Sequence, residues 1–164
     1  MPSVASRVGG LVCVVGAGLV LIGYSLPWFT YRVWNQPPNG AFEVVTWTGW
    51  REVAAGFPLS LVLFGLPLLM PLLTAGIAGG LAFRTEDLAA RRALGIALVI
   101  TLFTLAAITV LLWWVFTSDS GLPLEPPPLF GTGLLWLYVG YLAVLAGGAL
   151  MCLKQPHQAV PQVA

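Results

Sequence analysis

The sequence predicts an all-α membrane protein, a four-transmembrane-helix bundle with an extracytoplasmic β-hairpin in its first loop. Three observations carry that expectation. Of 164 residues, 59% are hydrophobic and only 8% charged, where a soluble domain carries roughly 25% charged residues. Four apolar runs, at residues 8–26, 58–83, 93–116 and 129–153, each reach the roughly 20 helical residues that cross about 30 Å of hydrocarbon. The interval at residues 28–57 is neither apolar span nor short connector, and it holds Trp28, Trp34, Trp47 and Trp50 of the seven tryptophans. The chain therefore reads as a single integral membrane domain over residues 1–164.

The first run, 8–26, contains no charge. Arg7 and the small-x-small stretch Gly23-Tyr24-Ser25 resemble a signal peptide, but the run is longer than an ordinary signal core and three more spans follow. A retained helix is expected. In the second run Pro58 suits a first helical turn, while Pro67 and Pro71 lie one turn apart and kink the helix on one face. Such prolines are tolerated in a membrane where neighbours satisfy the freed carbonyls. Gly76 and Gly80 form a G-x-x-x-G pair, a signal for close helix packing.

The third run, 93–116, ends in the interfacial pair Trp113-Trp114, and the fourth carries Trp136, Tyr138 and Tyr141. Tyr141 lies deep enough to need a hydrogen-bond partner. Ala143 and Gly147 supply a second small-x-x-x-small surface. The hydroxyls within the runs belong to Ser60, Thr74, Thr101, Thr104 and Thr109, and they are expected to bond their own backbone or a neighbouring helix. Cys13 and Cys152 fall in apolar runs at no metal-ligand spacing and read as polarizable fillers.

Among the connectors, residues 84–92 read RTEDLAARR. Thr85 is placed as an N-cap, with Glu86 and Asp87 in the first turn and Arg91 and Arg92 in the last. The tail at 154–164 is polar and proline-broken, and is expected to be disordered. Arg7, Arg84, Arg91, Arg92 and Lys154 fall on one side of the spans; Arg32 and Arg51 fall on the other. That bias puts both termini in the cytoplasm of an inner membrane protein.

The outer loop reads as strands at 28–34 and 41–48 around the turn sequence NQPPNG. Pairing Trp34 with Ala41 sets Arg32 opposite Glu43 and Trp28 opposite Trp47 on one face. Val33 then meets Phe42, and Tyr31 meets Val44, on the other. A lone hairpin is marginal in water, so it must lie on something. Residues 50–57 follow as a short interfacial helix with Trp50, Val53 and Phe57 on one face.

Leu26-Pro27-Trp28 ahead of a β-rich loop that closes on Gly49-Trp50 resembles small bacterial four-helix integral membrane proteins of unassigned function. The layout is also distantly similar to the claudin-like arrangement, a left-handed four-helix bundle carrying an extracellular sheet. Trp47-Thr48-Gly49-Trp50 supplies part of that family's Trp…Gly-Leu-Trp motif, and its two loop cysteines are absent here. The resemblance implies a fold and no particular function.

The chemistry excluded is as informative. No Asp, Glu, Lys, Arg or His lies within the four runs, so a proton-coupled transporter is not expected. His157, the sole histidine, is in the tail, away from any haem or chlorophyll in the membrane. There is no H-E-x-x-H, no nucleophile beside a base, and no phosphate-cradling loop; Val15-Gly16-Ala17-Gly18 sits within a span. A net charge of +1 argues against a nucleic-acid partner. Catalytic, metal and cofactor residues are thus not expected, and no cofactor is implied.

What remains is a non-catalytic accessory or scaffolding subunit of a larger membrane complex. It would bind other integral membrane subunits, and lipids, through glycine-rich helix faces and the aromatic loop. Trp28, Arg32, Trp34, Glu43, Trp47 and Trp50 are the expected binding residues. The alternatives are a small carrier or channel for a neutral or apolar solute, passing Pro67, Pro71 and the threonines, and a quinone- or redox-associated small subunit.

Overall fold

The computed structural model describes residues 4–34, 42–54, 56, 58, 61–83, 88–117 and 129–152. Four helices among them are long and apolar enough to cross a membrane. Helix α1 is Val4–Ser25. Strands β1 (Pro27–Trp34) and β2 (Phe42–Thr48) and the short helix α2 (Gly49–Ala54) follow. A π turn over Leu61–Gly65 leads into α3, Leu66–Phe83. Then come α4 (Leu88–Thr117), strand β3 (Leu129–Phe130) and α5 (Thr132–Cys152). The long helices alternate in direction, so the three strands gather at one end of the bundle.

The tightest packing is between α1 and α5, and a glycine ladder explains it. Gly9, Gly16 and Gly23 recur every seven residues on α1, as do Gly133, Gly140 and Gly147 on α5. A seven-residue spacing keeps residues on one helical stripe. The two stripes meet antiparallel: a Cβ on Gly16 would stand 2.8 Å from the Gly140 carbonyl oxygen, and one on Gly9 would stand 2.6 Å from that of Gly147. No side chain fits there. Such backbone approach gives the close van der Waals packing that is one of the forces joining helices in lipid.

The expected packing residues divide. Ala143 and Gly147 do face α1, against Gly16 and Gly9. Gly76 and Gly80 are exposed on α3, and a Cβ on either would meet nothing within 4 Å. Their G-x-x-x-G pair packs no helix of this chain.

Two apolar clusters fill the interior. One, toward the sheet, joins Val20, Tyr24, Trp28, Leu68, Ile108, Leu112, Leu134, Leu137 and Tyr141. The other, toward the opposite end, is built on Cys13, Ala17, Ala75, Ala78, Leu81, Ala82, Leu94 and Met151. Helix α4 is the least buried of the four.

The outer loop is strand-forming as expected, with three differences. The hairpin is part of a three-stranded antiparallel sheet of order β2-β1-β3. Leu129 and Phe130, expected to begin the last helix, instead pair with Thr30 and Phe29. The register is also shifted by one: Arg32 is opposite Val44, Val33 opposite Glu43, and Phe29 opposite Trp47. The expected Arg32–Glu43, Trp28–Trp47, Val33–Phe42 and Tyr31–Val44 pairings are therefore not formed. A bulge between Pro27 and Phe29 leaves Trp28 outside the ladder and re-aims its side chain; beyond it Pro27 lies opposite Thr48, the position the expected register gives it. Trp34 pairs with Phe42, so the expected Trp34–Ala41 pairing is not formed either; residues 35–41, with the turn, lie outside the described residues.

Helix boundaries differ less. The short helix expected over 50–57 begins one residue earlier, with Gly49 as the first residue of α2; Phe57 lies outside the described residues. The 58–83 run is a π turn plus an α-helix, because Pro67 and Pro71 each remove a ladder N–H. Helices α1 and α4 begin earlier than their apolar runs and so take in Arg7, Arg91 and Arg92. All three arginines lie at the end opposite the sheet. Ser60, the Thr85 cap with its two acids, and the tail from residue 153 lie outside the described residues.

Candidate binding surface at the sheet end

The seat of the sheet follows from the Leu26-Pro27-Trp28 sequence. Pro27 has no N–H, so the Gly23 carbonyl four residues earlier loses its helical donor. The Trp28 indole supplies the missing donor, its Nε1 lying 2.9 Å from Gly23 O. Trp28 is only 2% exposed. Its ring packs edge-on against Tyr24, with centroids 5.1 Å apart, and lies 6.0 Å from Phe64. Tyr24 in turn donates to the Phe64 carbonyl in the π turn, at 2.7 Å.

Gly49 completes the joint. A Cβ there would fall 2.6 Å from Trp28 Cζ2 and against the Tyr24 ring, so only glycine lets α2 cross this point. Just beyond it Trp50 lies 5.9 Å from Tyr24 and donates its indole N–H to Ser25 Oγ at 3.0 Å. On the far side the Gly131 N–H donates to Trp28 O at 2.8 Å, tying the start of α5 to β1. Aromatic pairs of this kind contribute about 0.5–1.5 kcal/mol each beyond burial. The sheet is therefore fixed to the bundle through buried rings.

Outward, the surface mixes apolar and cationic groups. Val44 is 58% exposed, Phe130 69% and Trp50 40%. Phe29 and Phe130 meet edge-on at 6.3 Å across β1 and β3. The Arg51 guanidinium sits 5.8 Å from the Trp47 ring centroid and donates through Nη1 to Thr46 O at 3.3 Å. Thr48 Oγ1 accepts the Arg51 N–H at 3.3 Å, the side-chain cap of α2.

The expected binding residues thus separate by place. Trp28 is interior and offers no surface, whereas Trp47 and Trp50 flank Arg51 at the rim. Arg32, Trp34 and Glu43 are fixed only at their backbone positions in β1 and β2. Tyr24, Gly49, Phe64 and Phe130 were not expected in this region. The signal for Tyr24 was its place one turn before the proline, where a ring can reach the chain's exit.

No known family matches the chain, and no curated protein matches it.

Below the seat, a polar seam crosses the bundle. Pro71 has no N–H for the carbonyl of Pro67, and the Tyr141 hydroxyl donates to that carbonyl from α5. Thr74 and Thr101 share a buried hydrogen bond at 2.8 Å, joining α3 to α4, while Thr74 Oγ1 also lies 2.9 Å from Met70 O. Thr104 donates to Thr101 O at 2.8 Å. Nearer the sheet, Thr109 and Tyr138 hydroxyls meet at 2.9 Å, joining α4 to α5. Among the described residues no buried side-chain N or O atom is left without a partner. These groups brace helices. Among the described residues, no three His, Cys, Asp or Glu side chains are grouped to hold a metal ion.

Proposed function

We propose that the chain is a non-catalytic accessory or scaffolding subunit of a larger membrane complex, and that its sheet end is the docking surface. The observation that carries this reading is a sheet anchored by buried Trp28 that still leaves Val44, Phe130 and Trp50 exposed. Aromatic groups beside an arginine are the residue types enriched where proteins recognise one another. Because the surface is held rigidly, little ordering entropy opposes binding.

The protein is an inner membrane protein with both termini in the cytoplasm and the sheet outside. Arg7, Arg91 and Arg92 at the end opposite the sheet support that orientation. A path for a polar neutral solute would need polar groups free to meet it. Thr74 and Thr101 bond each other instead, which favours the accessory reading over such a carrier.

The test is extraction of the tagged full chain in mild detergent and separation on a native gel, with mass spectrometry of the band. A species larger than the chain, containing one reproducible membrane polypeptide and lost in a Val44→Lys/Trp50→Ala variant, is expected. A band holding this chain alone would overturn the proposal.

A further inference from the structure

We infer that α4 carries a binding site for an anionic phospholipid, centred on Arg92 and Gly95. This goes beyond subunit docking and rests on α4 being a membrane span. Arg92, Gly95, Ile96, Val99 and Ile100 line a trough of about 440 Å³ on the outside of the bundle. Their spacing places them on one helical face, and the eight helical steps from Arg92 to Ile100 span about 12 Å.

Gly95 makes the concavity. A Cβ there would meet nothing within 4 Å, so the floor is open to a ligand and not filled by a neighbouring helix. Ile96, Val99 and Ile100 are apolar walls, and Ile96 and Val99 are each more than half exposed. The single charge sits at one end. Among the described residues Arg92 has no hydrogen-bond or ion-pair partner, and it lies at the end of the bundle that carries Arg7 and Arg91.

A charge at the membrane surface above an apolar trough matches a lipid: phosphate on the guanidinium, acyl chain over Gly95. Arginine favours phosphate through its planar fork of donors, and its long stem lets the charge reach the headgroup level. A soluble anion would leave the apolar trough empty. A protein helix would set the arginine against an apolar surface.

The full chain is reconstituted in vesicles of equimolar phosphatidylglycerol and phosphatidylcholine, then extracted for native mass spectrometry. The retained lipid is expected to be enriched in phosphatidylglycerol. Arg92→Gln should lower that enrichment about five-fold, the effect of one basic residue near an anionic surface. Arg7→Gln, on another helix at the same end, should leave it within about two-fold. Gly95→Leu fills the trough and should reduce retention of both lipids without changing their ratio. An unchanged ratio in Arg92→Gln, or an equal loss in Arg7→Gln, overturns the site. Vesicles washed in alkaline carbonate separate the premises: a chain that stays embedded but lacks the preference refutes the site alone, and a chain that washes off refutes the span and the site together.

Discussion

The indole Nε1 of Trp28 donates to the Gly23 carbonyl at 2.9 Å, filling the place of the N–H that Pro27 lacks. One side chain thereby ends α1, starts the sheet and plugs the bundle. Trp28→Phe keeps most of the ring but leaves that carbonyl buried and unpaired, which costs about 1–3 kcal/mol. A lowered midpoint of unfolding in detergent checks this. Phe at position 50, where the indole partner is the exposed Ser25, should change the midpoint far less.

The α1–α5 ladder gives a second expectation. Adding a methyl at Gly16 or Gly140 drives a Cβ to 2.8 or 2.7 Å from the facing carbonyl oxygen, and overpacking of this kind costs about 1–3 kcal/mol. Gly16→Ala and Gly140→Ala should each lower the unfolding midpoint. Gly76→Ala should not, because nothing stands near that position.

The kinked helix supplies a double-mutant cycle. Tyr141→Phe removes the donor to Pro67 O, a loss of about 0.6–1.7 kcal/mol for a hydrogen bond between membrane helices. Pro71→Ala restores a backbone N–H that can reach the same carbonyl. The Tyr141→Phe penalty should shrink in the Pro71→Ala background, and additive effects would show that the two groups serve different acceptors.

These relationships show where the sequence was legible. Four helices and a strand pair follow from length, hydropathy and alternation, which are local properties. The bulge at Trp28 was not legible, because it depends on a carbonyl freed in α1 and on Tyr24 and Phe64 from two helices; nor was the one-residue shift of the ladder over Phe29–Trp34, since alternation within each strand leaves the pairing across them open. Strand β3 was hidden because Leu129 and Phe130 extend an apolar run, and only the facing edge of β1 makes them a strand. The glycine ladder is present as a seven-residue spacing on two helices; the small-x-x-x-small pattern reaches only Gly147 of it, and its other match, Gly76 and Gly80, faces no helix of this chain. At the candidate surface, tryptophans were identifiable by type. Which of them is buried depends on Gly49, whose lack of a side chain admits the rings of Tyr24 and Trp28.

Orientation is tested by cysteine labelling in a Cys152→Ala background, Cys13 being buried. Val44→Cys should react with a membrane-impermeant maleimide in intact spheroplasts. Arg92→Cys should react only after permeabilisation. The reverse pattern would place the sheet in the cytoplasm.

The claim that the sheet end binds another subunit is tested most directly by photo-crosslinking in intact membranes. A benzophenone side chain is placed at Val44 or Phe130 on the sheet, and at Phe103 on the exposed face of α4. The account predicts one discrete adduct of the same mass from both sheet positions and not from position 103. No adduct from the sheet, or the same adduct from all three positions, would contradict it.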